Sequence, residues 1–293
     1  SLLDIKNKEV ILPSLSFIAT AHAVILNGGK PVFADIDSKT LCIDPKQIRK
    51  LITKKTAAIL PVHFAGIACN LNEILHLCQE NNVKLIEDAA HAAGTKYDGK
   101  RIGSHGMTVC FSFHPVKNLG MPTGGLISIN HVNHGKLKKT LNEKRWCGIT
   151  NRHDFTYDVK QVGWNYYMNE FSAGLGLIQL KKLDKLNRIR RNIAKRYYNE
   201  IELEQKMPYV AGSSYHFYWI ITRNRDEIMQ RLKQNGIETG IHYKPIHKMS
   251  MYNAKKKLPV TENVGKKIIS LPTHPNLSDK DVTRVISLVN KFL

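Results

Sequence analysis

The sequence predicts an α/β fold built on a mostly parallel sheet. Over the first 130 residues short apolar runs alternate with amphipathic stretches, the pattern of repeated strand–helix units. Helix punctuation falls between the runs, with Gly28-Gly29 closing one predicted helix and Asp44-Pro45 opening another. In order, residues 10–12 read as a strand, 13–17 as a loop, 18–27 as a helix and 31–35 as the next strand. A strand over 57–62 follows, then a helix over 71–79 with apolar residues at 71, 74, 75 and 78, then strands over 84–87, 109–112 and 126–129. Residues 131–162 read as basic, irregular chain without a repeat. A long helix is expected over 168–198, with a broad apolar stripe at 171, 175, 178, 180, 183 and 186. Arg188, Arg190, Arg191, Lys195 and Arg196 are expected on its solvated face. A strand over 215–222, a helix over 226–235 ending at Gly236, and a last helix opened by the capping-box pattern at Ser278–Asp281 complete the chain. The expected domain boundary lies near residue 190, giving a larger domain over 1–190 and a smaller α/β domain over 191–293.

Composition narrows the function classes. The 293 residues are 42% hydrophobic, which is ordinary for a globular protein and ample for a core. No apolar run reaches the length of a membrane-spanning helix, and no secretion signal is visible. The cysteines Cys42, Cys69, Cys78, Cys110 and Cys147 are scattered without a C-x-x-C pair. That argues against a zinc or redox site and suits reduced thiols in a cytoplasm; no metal is expected. The net charge of +20 could mark a nucleic-acid binder. It is spread along the chain rather than gathered with aromatic residues, so a lysine-rich solvated surface is the plainer reading and nucleic acid is not an expected partner.

The chemistry gathers around one stretch, Val109-Cys-Phe-Ser-Phe-His-Pro-Val-Lys-Asn-Leu-Gly120, an apolar strand opening into a polar loop. Ser112, His114 and Lys117 leave that strand within six residues. Upstream, Val83-Lys-Leu-Ile-Glu-Asp88 ends in Ala89-Ala90-His91. Ligands in such sheets sit at the carboxyl ends of strands, where Phe17, His63, Asp88 and Ser112 all fall. A lysine amine, a strand-end carboxylate, an imidazole and a hydroxyl together suit pyridoxal phosphate (PLP). That cofactor needs a lysine for its imine bond, an acid beside the ring nitrogen, and hydroxyls and N–H groups around its phosphate.

These residues resemble the DegT/DnrJ/StrS family of PLP-dependent nucleotide-sugar aminotransferases. The match runs in order through Val10-Ile-Leu-Pro-Ser-Leu-Ser-Phe17, Pro31-Val-Phe-Ala-Asp-Ile-Asp37, Pro61-Val-His-Phe-Ala-Gly66, Glu87-Asp-Ala-Ala-His-Ala-Ala-Gly-Thr95, Phe111 to Leu119, Gly124-Gly125 and Gly240-Ile-His-Tyr243. It covers nearly the whole chain. The resemblance implies the aspartate aminotransferase fold (fold type I), a homodimer with sites at its interface, glutamate as amino donor and a nucleotide-linked keto-sugar as acceptor. A basic rim would attract such an anionic substrate.

The resemblance also implies roles. Lys117 would hold PLP and shuttle the proton, and Asp88 would pair with the pyridine nitrogen, although an aspartate there can equally cap the turn after it. His91 would lie near the ring oxygen, Phe17 would stack on the ring and Ser112 would bind phosphate; each has a structural alternative as a satisfied core or strand-end residue. Asn165, in Gly163-Trp-Asn-Tyr-Tyr-Met168, would reach the neighbouring subunit's site. His114, His216, His242 and Tyr243 are candidate substrate contacts. Tyr167 stands where many members have arginine, and Pro122-Thr-Gly-Gly125 replaces the usual Gly-Glu-Gly-Gly. The opening Ser1-Leu-Leu-Asp-Ile-Lys6 resembles the end of a family helix. On that reading roughly fifty to sixty preceding residues, including a phosphate-binding Gly-Thr/Ser turn, belong upstream, and a form without them would bind PLP weakly. Lys117 argues against the dehydratases among the relatives, which carry histidine in its place. The alternative is a non-catalytic member acting as a binding or interaction protein.

Overall fold

The structure, a computed structural model, describes residues 3–131, 134–252 and 254–293. The described part of the opening stretch holds no helix: residues 3–8 are irregular, and Asn7 N–H donates to Gly28 C=O at 2.8 Å. Ser1 and Leu2 lie outside the described residues. The first strand is β1 (Glu9–Pro13), followed by helix α1 (Ala19–Leu26), β2 (Lys30–Ala34), α2 (Pro45–Leu51), β3 (Thr56–Ile59), α3 (Leu71–Glu80) and β4 (Lys84–Asp88). The short ladder β5 (Lys96–Tyr97) and β6 (Lys100–Arg101) precedes β7 (Thr108–Ser112) and β8 (Gly125–Ile129). Local chemistry explains the boundaries. Asp44 accepts from Lys46 N–H at 2.9 Å to cap α2 with Pro45 in its first turn, and Asn70 caps α3.

These strands form one sheet in the order β2-β1-β3-β4-β7-β8, parallel except for the antiparallel edge strand β8. The parallel strands read as continuous apolar runs because helices cover the sheet. β2 lies to one side of β1 and β3 to the other, so the strand order reverses at β1, and the carboxyl ends of β1, β3, β4 and β7 open toward one another there.

The stretch expected to be irregular contains regular structure from residue 134 onward. It holds helix α4 (His134–Arg145) and the hairpin β9 (Ile149–His153) and β10 (Thr156–Val159). α4 has only Leu137 and Leu141 on its apolar side, β9 has a single apolar residue and the alternation of β10 spans only four residues, so period-based reading has little to detect. The long helix α5 runs from Glu170 to Glu200, so residue 190 falls inside it. Beyond it lie β11 (Tyr218–Ile221), α6 (Arg225–Gln234), α7 (Pro259–Lys267), β12 (Ile268–Leu271) and α8 (Asp279–Phe292). α7 and β12 were not anticipated. β12 pairs antiparallel with β11, and α8 has the capping box expected at Ser278 and Asp281. One large apolar cluster joins Ile11, Leu71 and Val109 to Tyr197, Trp219 and Val285, so both proposed domains share a core. Among the described residues no helix is long and apolar enough to cross a membrane.

Two α5 expectations change. Phe171, Leu175, Ile178 and Leu180 are exposed, so the stripe reaches the core only from Leu183 onward. Arg190 is buried rather than solvated. Its guanidinium donates to the carbonyls of His216 and Thr273 at 3.2 and 2.8 Å, and burial pushes its pKa down to about 10.

The turn after β3 docks the chain's last third onto the sheet. His216 N–H donates to Ala65 C=O at 2.9 Å, and Thr95 Oγ1 donates to Gly66 C=O at 2.8 Å. Gly66 has φ +94, and a Cβ there would lie 2.4 Å from Ser214 Oγ and 2.9 Å from Tyr215 N. Gly66→Ala should therefore destabilise the fold by about 2 kcal/mol or more, read as a lower urea midpoint at unchanged m-value.

Candidate active site

Asp88 ends β4 and is held from every side. Its N–H donates to Pro61 C=O, its C=O accepts from His63 N–H, and Ala89 N–H donates to Cys110 C=O across the β4–β7 pair. Its carboxylate accepts from Thr20 Oγ1 at 2.8 Å on Oδ2 and from Ala90 N–H at 3.0 Å on Oδ1. The N–H bond is the local turn expected of a capping aspartate. The hydroxyl comes from α1, 68 residues away. Thr20 is in turn 2.9 Å from Ser16 Oγ, and both are buried. A carboxylate that accepts two bonds still has lone pairs for a third donor.

Lys117 stands in the loop after β7. Phe113 N–H donates to Gly124 C=O and Met121 N–H to Phe113 C=O, closing the loop, while Lys117 N–H donates to His114 C=O at 2.8 Å. The next residue, Asn118, is buried and clamps the loop to α5 and to the 214–216 segment. Burial lowers the Lys117 pKa, with Asp88 close enough to oppose the shift. Burial of an ammonium favours the free amine that a nucleophilic or proton-shuttling lysine needs.

Imidazoles and aromatic rings crowd around this amine. His91 stacks on His216 with ring centroids 4.6 Å apart, and His242 stacks on Phe217 at 4.4 Å. Tyr243 Oη is 3.1 Å from His91 Nε2, and its ring lies 6.2 Å from Phe17. Phe17 is 57% exposed at the end of the β1 loop and so is not a core residue. His91 Nδ1 is buried without a partner, which costs free energy unless a ligand supplies one. Burial and then the neighbouring His216, Lys117 and His242 push the His91 pKa well down. Burial with Lys117 nearby lowers His242 to about 4. Burial, and more weakly Asp88, pushes the Tyr243 phenol up, so it stays protonated.

The fold thus brings Asp88, His91, Lys117, His216, His242 and Tyr243 together with Phe17 at their edge. Ser112 ends β7 and lines, with Thr20 and Asp88, one end of an apolar cavity of about 440 Å³ between α1 and α4. Its Oγ accepts from His114 N–H at 3.4 Å. His114 is exposed, and its ring contact is a long one at 3.5 Å from Val116 N–H. Asn165 is exposed and bridges Trp146, and among the described residues it makes no hydrogen bond to the cluster. Tyr167 packs edge-on against Trp146 at 5.4 Å, with the Arg145 guanidinium 5.9 Å from its ring centre. His63 leaves the group of strand-end candidates. It is fully buried, with Nδ1 accepting from Cys69 N–H and Nε2 donating to Glu87, so neither nitrogen can meet a ligand. Sequence reading missed Thr20, Asn118 and Asn187. Asn118 follows Lys117 directly, but nothing in the sequence signals that it is buried.

Residues 1–290 match the DegT/DnrJ/EryC1/StrS aminotransferase family. The chain belongs to that family. An uncharacterized protein of Methanocaldococcus jannaschii is 33% identical over 99% of this chain and 81% of its own length. Helicobacter pylori PseC, an aminotransferase involved in pseudoaminic acid biosynthesis, superposes with a TM-score of 0.92 at 31% identity, covering 100% of this chain and 81% of its own. A sugar aminotransferase from Micromonospora echinospora superposes with a TM-score of 0.91 at 26% identity, over 98% and 81% of the two chains. Membership makes this DegT-family protein a PLP-dependent sugar aminotransferase of fold type I. The donor set fits the cofactor on its own terms: a half-buried amine, a carboxylate with spare acceptor capacity, an exposed aromatic face and a buried imidazole nitrogen without a partner.

The buried histidines predict an acid-side loss of stability. The unfolded chain takes up these protons near the ordinary imidazole value of 6.5, whereas the folded state does not until about 4 at His242. Below the unfolded value the unfolded state binds more protons, so stability should fall as pH drops from 6.5 toward 4. Thermal melts across that window should show it, with a shallower slope in His242→Gln; an unchanged slope would remove His242 from the explanation.

Proposed function

We propose that this protein transfers the amino group of glutamate to a nucleotide-linked keto-sugar, yielding 2-oxoglutarate and the amino-sugar. The observation that carries the reading is the half-buried Lys117 amine, in the loop after β7, within electrostatic reach of the Asp88 carboxylate at the end of the neighbouring strand β4. Bound PLP would supply an aldehyde for a lysine amine and a protonated ring that draws electrons from the substrate's reacting carbon. Lys117 would hold the cofactor through its amine and would be the base that moves a proton at the substrate's reacting carbon. Asp88 would pair with the ring nitrogen and favour its protonated form; Thr20 and the Ala90 N–H fix the plane of its carboxylate. Phe17 would stack on the ring, His91 would lie near the ring oxygen and Ser112 would bond the phosphate. His114, His216, His242 and Tyr243 line the approach of the substrates and exclude water from the amine.

We further propose a homodimer in which Asn165 of one protomer serves the site of the other. Exposed apolar side chains support it: Phe171, Leu175 and Ile178 on α5, Tyr157 and Val159 on β10, and Val162, Trp164 and Tyr166 beside Asn165. The five cysteines are unpaired, in keeping with a reducing compartment such as the cytoplasm. We also propose a larger domain over 1–190 and a smaller one over 191–293, with α5 running through both.

Two substitutions test the assignment. Lys117→Ala should abolish borohydride-stable attachment of PLP and all transamination while keeping the thermal transition; labelled cofactor trapped on another lysine would overturn the role. Asp88→Asn should retain much of the PLP binding yet lose turnover by orders of magnitude, because a neutral amide does not hold the pyridinium proton. Near-normal turnover would reduce Asp88 to a capping residue.

A further inference from the structure

Beside Lys117 a chain of buried hydrogen bonds can be assigned, donor by donor, from one end to the other. Asn187 on α5 donates Nδ2–H to Ala93 C=O at 2.9 Å, which leaves its Oδ1 as an acceptor. Asn118 donates Nδ2–H to that oxygen at 2.9 Å and to Ser214 C=O at 2.8 Å. Both partners are oxygens without a proton to give, so the Asn118 amide has a single orientation and its Oδ1 faces His216. His216 Nδ1 lies 3.1 Å from that oxygen. An amide oxygen only accepts, so His216 Nδ1 must carry the hydrogen. Burial, then Lys117, Arg190 and His242, push the His216 pKa well below its ordinary value, so the ring is neutral. The lone pair therefore sits on Nε2. That nitrogen has no hydrogen-bond partner among the described residues and, unlike His91 Nδ1, is not sealed from solvent.

We propose that Asn187 and Asn118 hold His216 as the Nδ1–H tautomer, so that its Nε2 accepts a hydrogen bond from a hydroxyl of the sugar substrate. The hydroxyl assignment rests on the function proposed above; the tautomer does not. A neutral nitrogen with a lone pair repels carboxylate and phosphate oxygens, which also only accept. His216 is thereby a contact for the sugar and not for the charged ends of the amino donor. The Asn118 anchor also adjoins Lys117, and Arg190 fixes the His216 carbonyl from the opposite side, so the acceptor and the amine are set by one buried scaffold. Asn118 and Asn187 act through His216 and are positioning residues.

The tautomer is read without cofactor, by two-bond ¹⁵N–¹H correlation spectra of protein labelled with ¹⁵N-histidine near pH 7.5. A ring in the Nδ1–H form that disappears in His216→Gln is the expected result, and Asn187→Leu should convert it to a mixture of forms. A wild-type His216 in the Nε2–H form overturns the proposal outright, whether or not the Asn187 variant folds. The substrate arm compares His216→Asn, whose amide reaches only the Nδ1 position, with His216→Gln, whose amide reaches the Nε2 position. The keto-sugar KM should rise about tenfold in the first and recover to within a few-fold in the second, with a larger defect in the sugar half-reaction than in the donor half-reaction. Equal losses in both variants, or in both half-reactions, would discard the hydroxyl contact even with the Nδ1–H form present. A protein that binds no PLP would fail the proposed function and leave the spectrum to decide the tautomer.

Discussion

The parallel pairing of β4 with β7 is the constraint on which the site depends. It sets Asp88 opposite Cys110, and the loop that leaves β7 two residues later carries Lys117. Every main-chain polar group of the Asp88 peptide is used, toward Pro61, His63 and Cys110, so the carboxylate has almost no backbone freedom. A shift of one residue in this register would turn Asp88 to the other face of the sheet. The buried pair beneath it reinforces the position: His63 donates to Glu87, the residue before Asp88, at 2.9 Å with both side chains fully enclosed. Glu87 also leaves no room for a side chain at position 106, where a Cβ would lie 1.9 Å from its Oε1, so Gly106 is required for β7 to approach.

Electrostatics follow from enclosure rather than from ion pairing. In a chain of net charge +20 the amine of Lys117 lies among the enclosed imidazoles His91, His216 and His242, and burial keeps these three uncharged. Neutral rings can stack within 5 Å of each other, as His91 and His216 do, without adding positive charge beside Lys117. The amine is thus depressed mainly by loss of water, with the Asp88 carboxylate restoring part of its charge. Surface ion pairs such as Arg101–Asp184 and Arg196–Glu200 lie away from this cluster and contribute little to it.

The sequence by itself determined the α/β class, the strand ends that carry Phe17, Asp88 and Ser112, and the lysine loop. It could do so because those signals are local: apolar runs of strand length, caps such as Asp44 and Ser278, and motif residues in a fixed order. Local signals were too weak for α4 and the β9–β10 hairpin, whose apolar residues are too few to establish a period, and for α7 and β12. Only the tertiary structure decided what depends on contacts between distant residues. Thr20 meets Asp88 across 68 positions, Asn118 meets Asn187 across 69, and His216 meets Asn118 across 98. It also separated His63, which shares a strand-end position with the site residues, from the site itself, and buried Arg190 against two carbonyls while leaving Phe171 and Ile178 in the open. Hydrogen-bond partners and burial are properties of the folded core, and a periodic pattern specifies which side of an element is apolar, not what will cover it.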